Sequence, residues 1–130
     1  MTGFQNKIVT VMTLDGHNCT VVNPITYIAA DGRTFIIPRG SVTDGCSTPP
    51  ELWPFIPPFG TYWLAAVLHD AGYRNTLLNG DGTIANLSQD DCDSLFKEAM
   101  LSLGTEASTA EKIYLGVHEC GWIAYQKDRE

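Results

Sequence analysis

The chain has 130 residues, 44% of them hydrophobic, and a formal net charge of −7 from 8 Lys+Arg against 15 Asp+Glu. That is enough apolar material for the core of one domain, and no run approaches the roughly 18 apolar residues of a membrane span. The acidic balance argues against nucleic acid as the main ligand, because phosphate neutralisation needs a basic patch, and against adsorption to anionic lipid. A bound divalent cation would relieve part of the acidic repulsion. Residues 1–7 lack the basic end and long apolar centre of a signal peptide, so the expectation is a product kept in the cytoplasm where it is made, or packaged from it. Cys19, Cys46, Cys92 and Cys120 show no zinc-ligand spacing and read as buried thiols rather than bridges.

Residues 7–13 are rich in β-branched side chains, and Asp15-Gly16 is a turn signal before a second such stretch at 18–22. Residues 27–30 and 33–37 flank Asp31-Gly32, the strongest hairpin signal in the chain. Residues 1–40 therefore read as a small antiparallel sheet, closed by Pro38-Arg39-Gly40, with the role of a scaffold.

Five of the seven prolines fall between 49 and 58, so 41–59 reads as an ordered, irregular loop. Within it, Asp44-Gly45 is either a turn or a loop presenting a carboxylate and backbone carbonyls to a hard cation. The remainder, 60–125, reads as three helices within the same single domain, 1–130.

The first helix spans about 60–74, through the run Trp63-Leu64-Ala65-Ala66-Val67. Tyr62, Ala66, His69 and Tyr73 share one face, and Asp70 lies about 100° round from His69. An ionisable His and Asp on an otherwise apolar helix are costly to bury without partners. Two readings stay open on this segment alone: a core histidine with Asp70 in solvent, or a site. The run Asn79-Gly80-Asp81-Gly82-Thr83 lacks the ligand pattern of a calcium-binding loop and reads as a turn.

Ser88 with Asp91 three residues on caps a second helix, giving Asp90 and Asp91 a place near its positive end. Asp93 lies on the stripe of Phe96, Met100 and Leu103; a carboxylate there needs a partner, and His69 is the candidate. A third helix is expected from Ser108, with Glu111 completing a capping box and Ile113, Val117, Cys120 and Ala124 on its apolar face. His118 reads as a surface or margin residue. A zinc peptidoglycan hydrolase is discounted, since His17 or His118 would have to converge on His69.

Taken together, Asp44-Gly45-Cys46-Ser47, Pro58-Phe59, His69-Asp70-Ala71-Gly72-Tyr73-Arg74-Asn75 and Asp93-Ser94-Leu95-Phe96 with Met100 resemble the core of the small prokaryotic secreted phospholipase A2 enzymes, over about residues 44–100. The chain also resembles short uncharacterised proteins of tailed phages and prophages, over nearly its whole length. Those share the strand-rich N-terminus, the Thr43-Asp44-Gly45-Cys46-Ser47 loop with its following proline, and the two helix motifs. The enzyme resemblance implies an antiparallel helix pair in an α+β fold, with His69 as general base, Asp93 orienting its ring, Tyr73 bracing the site, and calcium held by Asp44, Asp70 and a carbonyl near Gly45. It implies a phospholipid or other ester substrate. The phage resemblance implies a setting: host cytoplasm or virion, with phage structural proteins as partners and a small tail-associated structural protein as the alternative function. The chain departs from the secreted enzymes at Ala66, where they carry the cysteine that would bridge to Cys46, and in its N-terminal sheet.

Overall fold

A computed structural model describes residues 2–5, 11–13, 19–43 and 63–128. The loop candidates Asp44 and Gly45, with Cys46, His17, Tyr62 and the turn signal Asp15-Gly16, lie outside the described residues. The fold is α+β, with antiparallel strands β1 (Gly3–Phe4), β2 (Val11–Thr13), β3 (Cys19–Val21), β4 (Ile25–Ile28), β5 (Thr34–Ile37) and β6 (Val42–Thr43) ahead of helix α1 (Trp63–Tyr73). Strand β7 (Leu78–Asn79) and helices α2 (Gln89–Ser102) and α3 (Ala107–Asp128) complete it.

The β4–β5 hairpin follows from alternation. Ile25, Tyr27, Phe35 and Ile37 are buried while their neighbours are half-exposed, and the register sets Ile25 opposite Ile37 and Tyr27 opposite Phe35. Its turn uses the expected Asp31-Gly32: Gly32 N–H donates to the Ala29 carbonyl at 3.0 Å, and Gly32 takes φ 91°, a conformation that glycine adopts without penalty.

Where one sheet was expected, the described strands form two, ordered β1-β4-β5-β7 and β2-β3-β6. Pro38-Arg39-Gly40 does not end the strand region. Gly40, at φ 89°, turns the chain so that β6 pairs with β3. The 79–83 segment is the expected turn, with Asp81 Oδ1 accepting from Thr83 N–H and Oγ1–H, but it is flanked by β7, which joins the first sheet beside β5.

Helix α1 is the centre of the fold. Every residue from Ala65 to Tyr73 is buried, so it has no solvent face along that length. It ends at Asn75, whose φ of 59° places it in the left-handed cap position, with Asn75 N–H donating to Gly72 O and Thr76 N–H to Ala71 O. Helix α2 starts where the sequence placed it: Ser88 Oγ accepts from Asp91 N–H at 3.2 Å. It runs antiparallel to α1, since Gly72 approaches Cys92 at one end and His69 meets Phe96 further along. Phe96 and Met100, from the expected stripe, are buried with Asp93 between the helices. Helix α3 starts at Ala107, so Ser108 falls in its first turn rather than capping it. Glu111 pairs with Lys97 of α2 instead of closing a capping box.

Candidate functional site

The site is built where α1, α2 and α3 meet. His69 and Tyr73 are one turn apart on α1, and their rings lie against each other with centroids 4.0 Å apart. Phe96 of α2 also lies against the imidazole, with centroids 4.7 Å apart. This leaves His69 only 7% exposed.

Asp93 enters from the second turn of α2 with no exposed surface at all. Its carboxylate accepts three hydrogen bonds: Oδ1 from His69 Nε2 at 2.7 Å and from Tyr73 Oη at 2.6 Å, and Oδ2 from His118 Nδ1 at 3.0 Å. An ionised carboxylate only accepts, so each partner must donate. In the neutral His69 ring this puts the proton on Nε2 and leaves the lone pair on Nδ1, the nitrogen Asp93 does not engage. Burial by itself would raise the Asp93 carboxyl. The hydrogen bonds from His69, Tyr73 and His118 outweigh it and hold Asp93 below the ordinary carboxylate range. The same burial, with the Asp93 carboxylate alongside, pushes the Tyr73 phenol far above its ordinary value.

The sequence singled out His69, Asp93 and Tyr73, and the fold brings these three together. Asp70, the adjacent residue on α1, is 7% exposed rather than in solvent. Asp44 and Gly45 lie outside the described residues. The expected set around the cation is all oxygen, which is the chemistry calcium takes, and the Asp70 carboxylate fits it as a hard donor. Among the described residues no group of three or more His, Cys, Asp or Glu side chains could hold a metal ion.

His118 lies at the margin of the core, as expected, with 38% of its side chain exposed. Its partner was not expected: α3 brings its ring to Asp93, while its own carbonyl accepts from Gln89 Nε2 at 3.3 Å and its ring stacks on Tyr114. The two histidines therefore do converge, through a shared carboxylate rather than on a zinc ligand set. The four-residue spacing of Tyr114 and His118 marks a second stripe on α3 beside the apolar one, but does not say which element that stripe meets. Cys92 is a buried thiol outside any disulfide, as expected for it, and buried Ala66 has no sulfur with which to bridge to Cys46.

Among the described residues no helix is long and apolar enough to cross a membrane. A family model described as "Protein of unknown function (DUF1353)" matches residues 19–117, which takes in His69, Asp70, Tyr73 and Asp93 and stops one residue short of His118. No curated protein and no solved structure gives a significant match.

Proposed function

The chain belongs to the DUF1353 family, whose description assigns no activity, and we propose from the site itself that it is a calcium-dependent ester hydrolase of the phospholipase A2 type, or a diverged descendant, encoded by a phage or prophage. One observation carries the reading: a fully buried carboxylate holds His69 through Nε2 and leaves Nδ1 as the basic nitrogen. That is the arrangement a general base needs, a neutral imidazole fixed in tautomer and aim. Asp70, the next residue on the same helix and likewise buried, would supply an acidic oxygen.

In this reading His69 Nδ1 takes the proton from the water that attacks the ester carbonyl, and returns it to the departing alkoxide as the acyl–oxygen bond breaks. Asp93 stabilises the imidazolium that results, through the bond already present at Nε2. Tyr73 adds a second donor to the same Asp93 oxygen, which keeps that oxygen at His69 Nε2 as the charge on His69 changes. Asp70 and, from the sequence, Asp44 and the Gly45 carbonyl would hold calcium. When bound, the ion supplies polarisation of the ester carbonyl and charge to offset the developing oxyanion.

The test is fatty-acid release from mixed phospholipid micelles, with calcium and with a chelator. Calcium-dependent release is expected. A folded protein that binds calcium and releases nothing would overturn the hydrolase reading and favour a tail-associated structural protein with the same site as a staple, in which chelation lowers Tm without any turnover to lose.

A further inference from the structure

We infer that His118 is a positioning residue for the His69–Asp93 pair, so that α3 is part of the site's machinery. The activity arm of this inference rests on the hydrolase reading; the rest does not.

Asp93 has two oxygens to orient. His69 and Tyr73 both donate to Oδ1, which fixes one oxygen and leaves the carboxylate able to swing about it. His118 Nδ1 takes the second oxygen at 3.0 Å, and with both oxygens held the carboxylate plane is set. The donor is itself placed from two sides. Gln89, at the start of α2, holds the His118 carbonyl at 3.3 Å, and the Tyr114 ring lies nearly parallel to the imidazole, 11° from coplanar at 5.4 Å. Lys97 of α2 sits over the other reach of the same arrangement, 5.2 Å from the Tyr114 ring and paired with Glu111. Gln89 and Lys97 of α2 thus tie down the stretch of α3 that carries Tyr114 and His118.

The chemistry also fixes the His118 tautomer. An accepting carboxylate requires a proton on Nδ1, which leaves Nε2 as the atom turned towards Asp90, at 3.6 Å from its Oδ1. His118 is 38% exposed, whereas His69 and Asp93 are buried, so it is the member of the array that reaches solvent.

The experiment is long-range ¹H–¹⁵N correlation spectroscopy on the ¹⁵N-labelled full chain, reading the tautomers of His69 and His118 and the exchange of the His69 Nε2 proton. In the unmodified protein His118 should carry its proton on Nδ1; an Nε2–H tautomer there would overturn the inference without any variant. His118→Phe keeps a ring on Tyr114 and removes the donor. It should speed His69 Nε2–H exchange about tenfold, the equivalent of one charge-assisted bond, and lower kcat with KM little changed. His118→Asn returns a donor near the Nδ1 position and should restore both. Unchanged His69 exchange in the Phe variant, or an Asn variant no better than Phe, contradicts the role. An inactive unmodified protein that shows the predicted spectra leaves the positioning intact and removes the hydrolase; an active one with unmoved spectra does the reverse.

Discussion

Replacing Asp93 with Asn tests the array at its centre. The amide keeps the shape but has one acceptor oxygen and one donor nitrogen in place of two acceptors. Turned so that oxygen faces His69 and Tyr73, its nitrogen meets His118 Nδ1, and that ring must change tautomer. Turned the other way, His69 loses its acceptor. The first arrangement wins, because half-exposed His118 can find water and buried His69 cannot. Three charge-assisted bonds, at about 1.5–3 kcal/mol each, then become neutral ones of about 0.5–1.5 kcal/mol. The loss of about 1 kcal/mol per bond is offset in part because a buried charge has gone. The net expectation is about 2–3 kcal/mol at pH 7, a fall in Tm of roughly 8–12 °C for a chain of this size. Urea unfolding followed by tryptophan fluorescence measures it. The sign with pH follows from Asp93 being held below its unfolded value of 3.8: its stabilisation is complete above that value and is lost as pH falls through the folded one. The gap between the two proteins should therefore close in acid. A loss under about 0.5 kcal/mol, or a gap that stays constant down to pH 2.5, would mean that the three donors do not stabilise the carboxylate as described.

Tyr73→Phe should cost about 1–2 kcal/mol, for one buried bond to a carboxylate. The raised Tyr73 phenol contributes stability that is present below its unfolded value of 10.0 and is lost as pH rises beyond it, so this variant should also flatten the alkaline limb by about one proton, roughly 1.4 kcal/mol per pH unit. Gly72→Ala would set a Cβ 2.8 Å from Cys92 Sγ and should destabilise by about 1–3 kcal/mol despite the better helix former. Cys92→Ala in the same chain should recover most of that loss, and additive costs in the double variant would sink the steric account. Glu98 Oε1 accepts from Tyr27 Oη at 2.6 Å and from Ala30 N–H at 3.0 Å, tying the hairpin to α2. Glu98→Ala should cost about 1–2 kcal/mol by calorimetry and Glu98→Gln about half as much.

The parts of the fold readable in the sequence are those specified locally. Asp31-Gly32 between two alternating runs gives a hairpin because the turn and the register are set by neighbours in the chain. Ser88 with Asp91 gives a helix start for the same reason. The pairing of His69 with Asp93 was readable because both lie on apolar faces, where an ionisable group must find a partner. What the sequence hid depends on tertiary placement. Strands as short as β6 and β7 carry too little pattern to say which sheet they join. The spacing from Ser108 to Glu111 matched a capping box, yet Lys97 on another helix is the partner Glu111 takes. The aim of His118 depends on how α3 lies across α2, which no periodicity within α3 reveals. Burial of Asp70 was likewise undecided, because α1 is enclosed from all sides.

The central claim is that His69 is a base held ready by Asp93. The direct measurement is calcium-dependent fatty-acid release by His69→Ala beside the unmodified protein, with folding of both checked by circular dichroism. Loss of the base should reduce the rate by about 10²–10⁴-fold while the fold persists. Release at the unmodified rate from the folded variant would contradict the claim.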